Sequence, residues 1–219
     1  MSPIRIEAGP MFSGKSTTLY AHIEGYLIAE REIGRDILVF NHASDNRYGE
    51  NQLSSHSGLN VAAIAVRDSW ELLAYFCQVN ETTYQLKPEF ADLMAVFIDE
   101  AQFFDADMPQ VVTFIDTELG IDVYLAGLDT DFRGKTFGPM GDLMAVADHV
   151  QKHTAICKKR VDGKICGQPA TKTQRLVNDK PANFSEPIIL VGAQEAYTAR
   201  CKEHHEIPGK PPLAAKSGD

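Results

Sequence analysis

Apolar positions along the chain follow two rhythms, and the alternation between them predicts the elements. Ile4, Ile6 and Ala8 alternate with charged neighbours, as a half-buried first strand does. Leu19, Ile23, Tyr26 and Leu27 then recur at helical spacing, and Gly34 follows as a C-cap. Residues 36–40 (DILVF) form a second strand, and 61–66 are apolar enough for a third. Asp68 and Glu71 have capping-box spacing and open a helix expected to run through Cys77, with Trp70 and Cys77 as core residues. Residues 93–98 (LMAVFI) are apolar without interruption, which suits a strand buried on both faces of a parallel sheet. Asp107 and Pro109 start a further helix as cap and first-turn proline, Gly120 ends it, and 121–126 is the next strand. Strands alternating with helices predict an α/β fold around a parallel sheet.

Two stretches break the rhythm. Residues 41–60 are polar and too long for a tight connection, so they are either a functional loop or a mobile insert. From about residue 150 the strands shorten, and Lys, Gly and Pro become more frequent. There 171–176 and 188–192 are strand-like, with a loop tied at both ends over 177–187. The expected organisation is an α/β domain over 1–150, a small subdomain over 151–205, and a disordered tail over 206–219.

Composition narrows the class. At 219 residues the chain suits one sizeable domain plus an appendage. No apolar run approaches the roughly 20 residues of a membrane span, and there is no signal-peptide pattern, so a cytoplasmic protein without membrane partners is expected. A net charge of -9 argues against nucleic acid as a partner, because phosphate neutralisation needs a basic stripe.

The most specific chemistry lies between the first strand and the first helix. Gly9, Pro10, Met11, Phe12, Ser13, Gly14, Lys15 and Ser16 fit G-x-x-x-x-G-K-[ST] in the strand–loop–helix context that motif needs. The two glycines let backbone N–H groups converge where the helix dipole adds positive charge. Lys15 then reaches the β- and γ-phosphates, and the Ser16 hydroxyl is placed for Mg²⁺. The plainer alternative, a glycine turn with a solvated lysine, leaves the flanking strand and helix unexplained. The implication is a nucleoside-triphosphate site.

Asp99 and Glu100 close the buried 93–98 strand. An acid there, in a P-loop protein, holds Mg²⁺, which favours Asp99. Glu100 points to the other side and is free to accept a proton, or the pair are ordinary strand-end acids. Residues 128–134 form a loop beyond the carboxyl end of a strand, where α/β ligand sites are built. Phe132 and Phe137 suit a slot for a flat ring, and Arg133 could face phosphate. Cys157, Cys166, Cys201 and His204 suit a closed structural zinc site of the Cys₃His type. The C-x-x-H half has ligand spacing, whereas Cys157 and Cys166 are separated by eight residues, so free thiols remain the alternative.

Together these stretches resemble the zinc-bearing, tetrameric thymidine kinases over almost the whole chain. The residues that carry the resemblance are GPMFSGKS at 9–16, DNRY at 45–48, SHSG at 55–58, DEAQFF at 99–104, GLDTDFRGKTFGP at 127–139, TKTQRL at 171–176 and VGAQEAYTARCKEH at 191–204. The resemblance implies a P-loop (RecA-like) parallel sheet with helices on both faces, plus a zinc-anchored lasso subdomain. It implies transfer of the ATP γ-phosphoryl group to the 5′-hydroxyl of thymidine or deoxyuridine in nucleotide salvage, with Mg²⁺ accompanying ATP. Glu100 matches the base, and Arg47 falls among the phosphate-site positions. Met11, Phe103, Leu128, Phe132 and Phe137 match positions enclosing the thymine ring. Thr173 matches the position beside its 5-methyl group, Tyr197 the one near the sugar, and Val191 another substrate contact. A homotetramer and feedback inhibition by thymidine triphosphate are further implications. The family pattern has C-x-x-C where this chain has Cys157 and Cys166, so 158–165 reads as an inserted turn between two ligands.

Two rivals fit parts of the pattern. A P-loop followed by DEAQ also suits an ATP-driven motor on nucleic acid, but such motors need a second large domain and a basic track. A zinc-dependent module that senses nucleotide without turnover would not need Lys15, Ser16, Asp99 and Glu100 all intact.

Overall fold

A computed structural model describes residues 3–44, 52–54, 60–188 and 195–213. Six parallel strands form its central sheet: β1 (Ile4–Ala8), β2 (Asp36–His42), β3 (Ile64–Val66), β4 (Leu93–Asp99), β5 (Asp122–Gly127) and β6 (His149–Lys152). Their spatial order is β6-β1-β5-β4-β2-β3. One strand, β5, therefore separates the P-loop strand from the strand that ends in Asp99.

Helices cover both faces. The helix α1 (Lys15–Ile33) packs Leu19, Tyr20 and Ile23 onto Val39, Ala95, Phe97, Tyr124 and Ala126. On the opposite face, α2 (Ser69–Phe76), α3 (Met108–Thr117) and α4 (Met140–Val146) cover Ile4, Ile6, Phe40, Val96, Ile98, Val123 and Leu125. Strand β4 contributes to both layers, which is why its sequence shows no polar alternation. The sheet runs to Lys152, two residues beyond the boundary expected at 150.

The second lobe is built from short antiparallel pieces. Lys172–Val177 pairs with Glu195–Arg200 on one side and with Lys180–Pro181 on the other. Asn178 and Asp179, at φ 50 and 60, make the two-residue turn between Lys172–Val177 and Lys180–Pro181; Asn and Asp tolerate that region better than most residues.

Several expectations change. The apolar run at 61–66 divides at Ala63: Asn60–Ala62 pairs with Gln52–Ser54, and Ile64–Val66 alone joins the main sheet. Apolarity continues through the break, so period gave no sign of it. Helix α2 stops at Phe76, and Cys77 starts a hairpin of Cys77–Asn80 with Thr83–Leu86. Asp68 does cap α2, accepting from Glu71 N–H at 2.7 Å. Cys77 is core as expected, but Trp70 is 38% exposed, stacked on Tyr84 with its Nε1 donating to Asp107. Asp107 thereby spends its side chain on Trp70 and makes no capping hydrogen bond to α3. The start of the expected tail is tied down: Glu206 and Gln174 exchange two hydrogen bonds, and Phe184 N–H donates to Pro208 O at 2.8 Å. Within the strand expected at 188–192, residues 189–192 lie outside the described residues, as do the DNRY and SHSG stretches.

Candidate active site

The P-loop leaves β1 through Gly9, which has φ +153 and so close a neighbour that a Cβ there would lie 2.6 Å from the His153 carbonyl oxygen. Only glycine fits that approach. His153 N–H in turn donates to Ala8 O at 2.7 Å, and its ring pairs with buried Glu7. The second lobe thus begins by bracing the loop. Lys15, buried at the start of α1, donates Nζ to Pro10 O at 2.9 Å. Ser13 Oγ is buried without a hydrogen-bond partner, as a hydroxyl lining an anion cradle would be.

Strand β4 delivers the acids beside this loop. Ser16 Oγ donates to Asp99 Oδ1 at 3.3 Å, which joins the two expected Mg²⁺-holding side chains. Glu100 N–H also donates to Asp99, at 2.8 Å. Burial, then the neighbouring Glu100 charge, pushes the Asp99 carboxyl up to about 7, against the pull of those two donors and of Lys15. A hard divalent cation there would restore the carboxylate, and the oxygen-only donor pair suits Mg²⁺.

Glu100 itself sits at φ 54, a left-handed conformation that costs a non-glycine residue about 1 kcal/mol or more. It turns the chain off the strand end into a short 3₁₀ turn at Ala101–Phe103. Gln102, 1% exposed, reaches back and donates Nε2 to Glu100 Oε2. Its Oε1 accepts from Leu128 N–H at 2.8 Å, at the end of β5. Sequence reasoning missed Gln102: it lay inside a recognised motif, but its role depends on β4 and β5 being neighbours.

The expected ring-slot residues divide into two groups. Phe103 and Phe137 are half-buried and meet edge-to-face, with centroids 5.6 Å apart at 89°. Leu128, buried just beyond the end of β5, is tied to the turn before Phe103 through its N–H bond to Gln102. Phe132, 3% exposed, is covered by guanidinium groups, Arg175 at 5.3 Å and Arg133 at 5.7 Å from its ring. Arg133 pairs with Asp131 at 3.0 Å and lies over Phe184, contacts that brace the loop. Thr173 is buried, and its Oγ1 accepts from Met11 N–H at 3.0 Å, linking the Lys172–Val177 strand to the P-loop. Tyr197 stands opposite Arg175 on the paired strand. Arg47 and Val191 lie outside the described residues.

The widened cysteine spacing has a structural answer. Arg160–Val161 and Lys164–Ile165 close a tight hairpin through Asp162 and Gly163, at φ 50 and 78. Cys166 N–H donates to Lys159 O and Gly167 N–H to Cys157 O, returning Cys166 to the side of Cys157. His204 N–H donates to Cys201 O, a turn that brings the C-x-x-H pair together. The four ligand atoms lie within 4.8 Å of one another, with His204 Nδ1 3.2 Å from Cys201 Sγ and 3.7 Å from Cys157 Sγ. Tetrahedral zinc at ordinary bond lengths sets its ligands about 3.5–3.8 Å apart, so the donor set fits. Burial alone would raise the Cys157 thiol, but backbone N–H groups of Cys201 and Lys159 with the His204 side chain outweigh it and bring it to about 6. A thiol so disposed is ready to ligate.

The family model described as "Thymidine kinase" matches residues 2–205. A curated protein named "Thymidine kinase" from Deinococcus deserti is 42% identical over 204 residues, covering 93% of this chain and 94% of the relative. Among solved structures, the Thermotoga maritima RuvB Holliday junction branch migration motor matches with 12% identity and a TM-score of 0.34. That match covers 68% of this chain and 37% of that chain.

Proposed function

The chain belongs to the thymidine kinase family, and from that premise we propose that it transfers the γ-phosphoryl group of ATP to the 5′-hydroxyl of thymidine, and of deoxyuridine, in nucleotide salvage. The observation that carries this is the meeting of two strand ends: Ser16 of the P-loop bonded to Asp99, with Glu100 next in the chain and bridged by Gln102 to the ring-slot loop.

In this reading backbone N–H groups within residues 12–16 and the Lys15 ammonium cradle the triphosphate, since Pro10 has no N–H and Met11 N–H is held by Thr173. Mg²⁺, held by Ser16 and Asp99 directly or through water, neutralises phosphate charge when bound. Glu100 accepts the proton of the 5′-hydroxyl as the oxygen attacks, and Gln102 keeps its carboxylate aimed away from the strand. Phe103, Phe137, Leu128 and Met11 exclude water from around the base, and the lasso strand with Thr173 and Tyr197 closes over it. Zinc at Cys157, Cys166, Cys201 and His204 would supply folding energy that a lobe of short strands lacks. We extend the reading to a cytoplasmic homotetramer inhibited by thymidine triphosphate.

Purified protein with ATP, Mg²⁺ and each of four deoxynucleosides tests the proposal. Monophosphate formed from thymidine and deoxyuridine alone is expected. Product from a purine or from deoxycytidine would break the ring-slot assignment, and no product with any nucleoside would overturn the reaction.

A further inference from the structure

The second lobe grips the outer rim of the P-loop at successive points. His153 packs on Gly9, Thr173 holds Met11 N–H, and Lys158 places its Nζ 4.9 Å from the centre of the Phe12 ring. The last contact is the one the proposed chemistry leaves unused. Phe12 is 55% exposed at φ 62, so its ring is turned out of the loop and contributes little to any core. Lys158 comes from the hairpin inserted between Cys157 and Cys166. Its backbone N–H donates to Ala199 O at 3.3 Å, which fixes its Cα beside the candidate zinc site.

The two cations that follow Lys158 in the chain have partners close by. Lys159 pairs with Glu206 at 2.7 Å, and Arg160 donates to Gly163 O at 3.1 Å. Lys158 is turned toward the P-loop instead. A cation resting on an exposed phenyl face is held by no more than about 1 kcal/mol. A phosphate oxygen offers a compact ammonium a stronger, charge-assisted partner. The protein as a whole carries a net charge of -9, which opposes the approach of a polyphosphate anion. A flexible cation held at the lip of the cradle offsets that field where it matters.

We propose that Lys158 is a second cation of the nucleotide site, parked on Phe12 and reaching the oxygens of the bound triphosphate. The inserted hairpin then makes the zinc lobe part of the phosphate-donor site, as well as the cover of the nucleoside site. The inference rests on the triphosphate reading of residues 9–16.

The test is direct binding of magnesium-complexed AMPPNP, a non-hydrolysable ATP analogue, to the full chain by calorimetry at low and high salt. Lys158→Ala should weaken binding about three- to tenfold at low salt and less at high salt, with Lys158→Arg close to the parent. Thymidine affinity and zinc content should be unchanged. Unaltered analogue affinity in Lys158→Ala, alongside a large loss in Lys15→Ala, would overturn this inference and leave the triphosphate site standing. If Lys15→Ala also bound normally, the triphosphate reading would fall, and this inference with it. Loss of thymidine affinity or zinc in Lys158→Ala would likewise overturn it, making Lys158 a support of the lobe.

Discussion

Gln102 donates its amide N–H to Glu100 while its carbonyl oxygen accepts from Leu128 N–H at 2.8 Å. One buried side chain thus fixes the proposed base relative to the strand that presents the ring slot. Gln102→Leu would leave Leu128 N–H without its partner and Glu100 without its guide. It should lower kcat about tenfold or more and cost about 1–3 kcal/mol of stability. Steady-state kinetics and a denaturant melt check both effects. A loss of stability with kcat intact would leave Gln102 a structural residue only.

Gly138 guards the same backbone. At φ +49 a side chain is tolerable at modest cost, but a Cβ there would lie 2.1 Å from the Gln102 carbonyl oxygen. Gly138→Ala must therefore displace the turn carrying Gln102 and Phe103. The expected result is a loss of about 2–3 kcal/mol together with activity, in contrast to Gly134→Ala, whose site is open apart from a distant His205 atom. Equal stability of the two variants, measured by urea titration, would contradict this.

How much of this was legible in sequence depended on how local each feature is. The P-loop and Asp99 needed only a short motif and a run of apolar residues; the loop lies between β1 and α1, and Asp99 ends β4. Gln102 was in plain view but mute, because its role comes from joining Glu100, two positions back, to a residue 26 positions away. The hairpin at Cys77–Leu86 was missed because its first strand exposes every residue after Cys77 and so lacks an apolar face. Trp70 was expected in the core, but its ring lies at the surface, where it stacks on Tyr84 and donates to Asp107. An inserted turn over 158–165 was visible, but not that it returns Cys166 to Cys157.

Acid should weaken the fold partly through Asp105. Burial would raise this carboxyl, but the Ser69 N–H and hydroxyl and the Asp107 N–H outweigh burial and hold it below the ordinary range. A depressed folded value means stability present above the unfolded value of about 4 and lost as pH falls through the folded one. Asp105→Asn should cost about 1 kcal/mol at neutral pH and flatten the acid limb of stability. Urea midpoints across a pH series read this; an unchanged limb would remove Asp105 from the account.

The zinc assignment predicts about one zinc per chain by elemental analysis. Cys201→Ser should lose it and open residues 155–205 to limited proteolysis, because metal ligation and folding of so small a lobe are one equilibrium. Full zinc content in that variant would contradict the ligand set.

The central claim is that Glu100 takes the proton of the attacking hydroxyl. The most direct test compares Glu100→Gln with the parent for kcat and for thymidine affinity measured by direct binding. The account predicts a fall in kcat of roughly 10²–10⁴-fold with thymidine affinity little changed. Turnover near that of the parent would contradict it and return Glu100 to an ordinary strand-end acid.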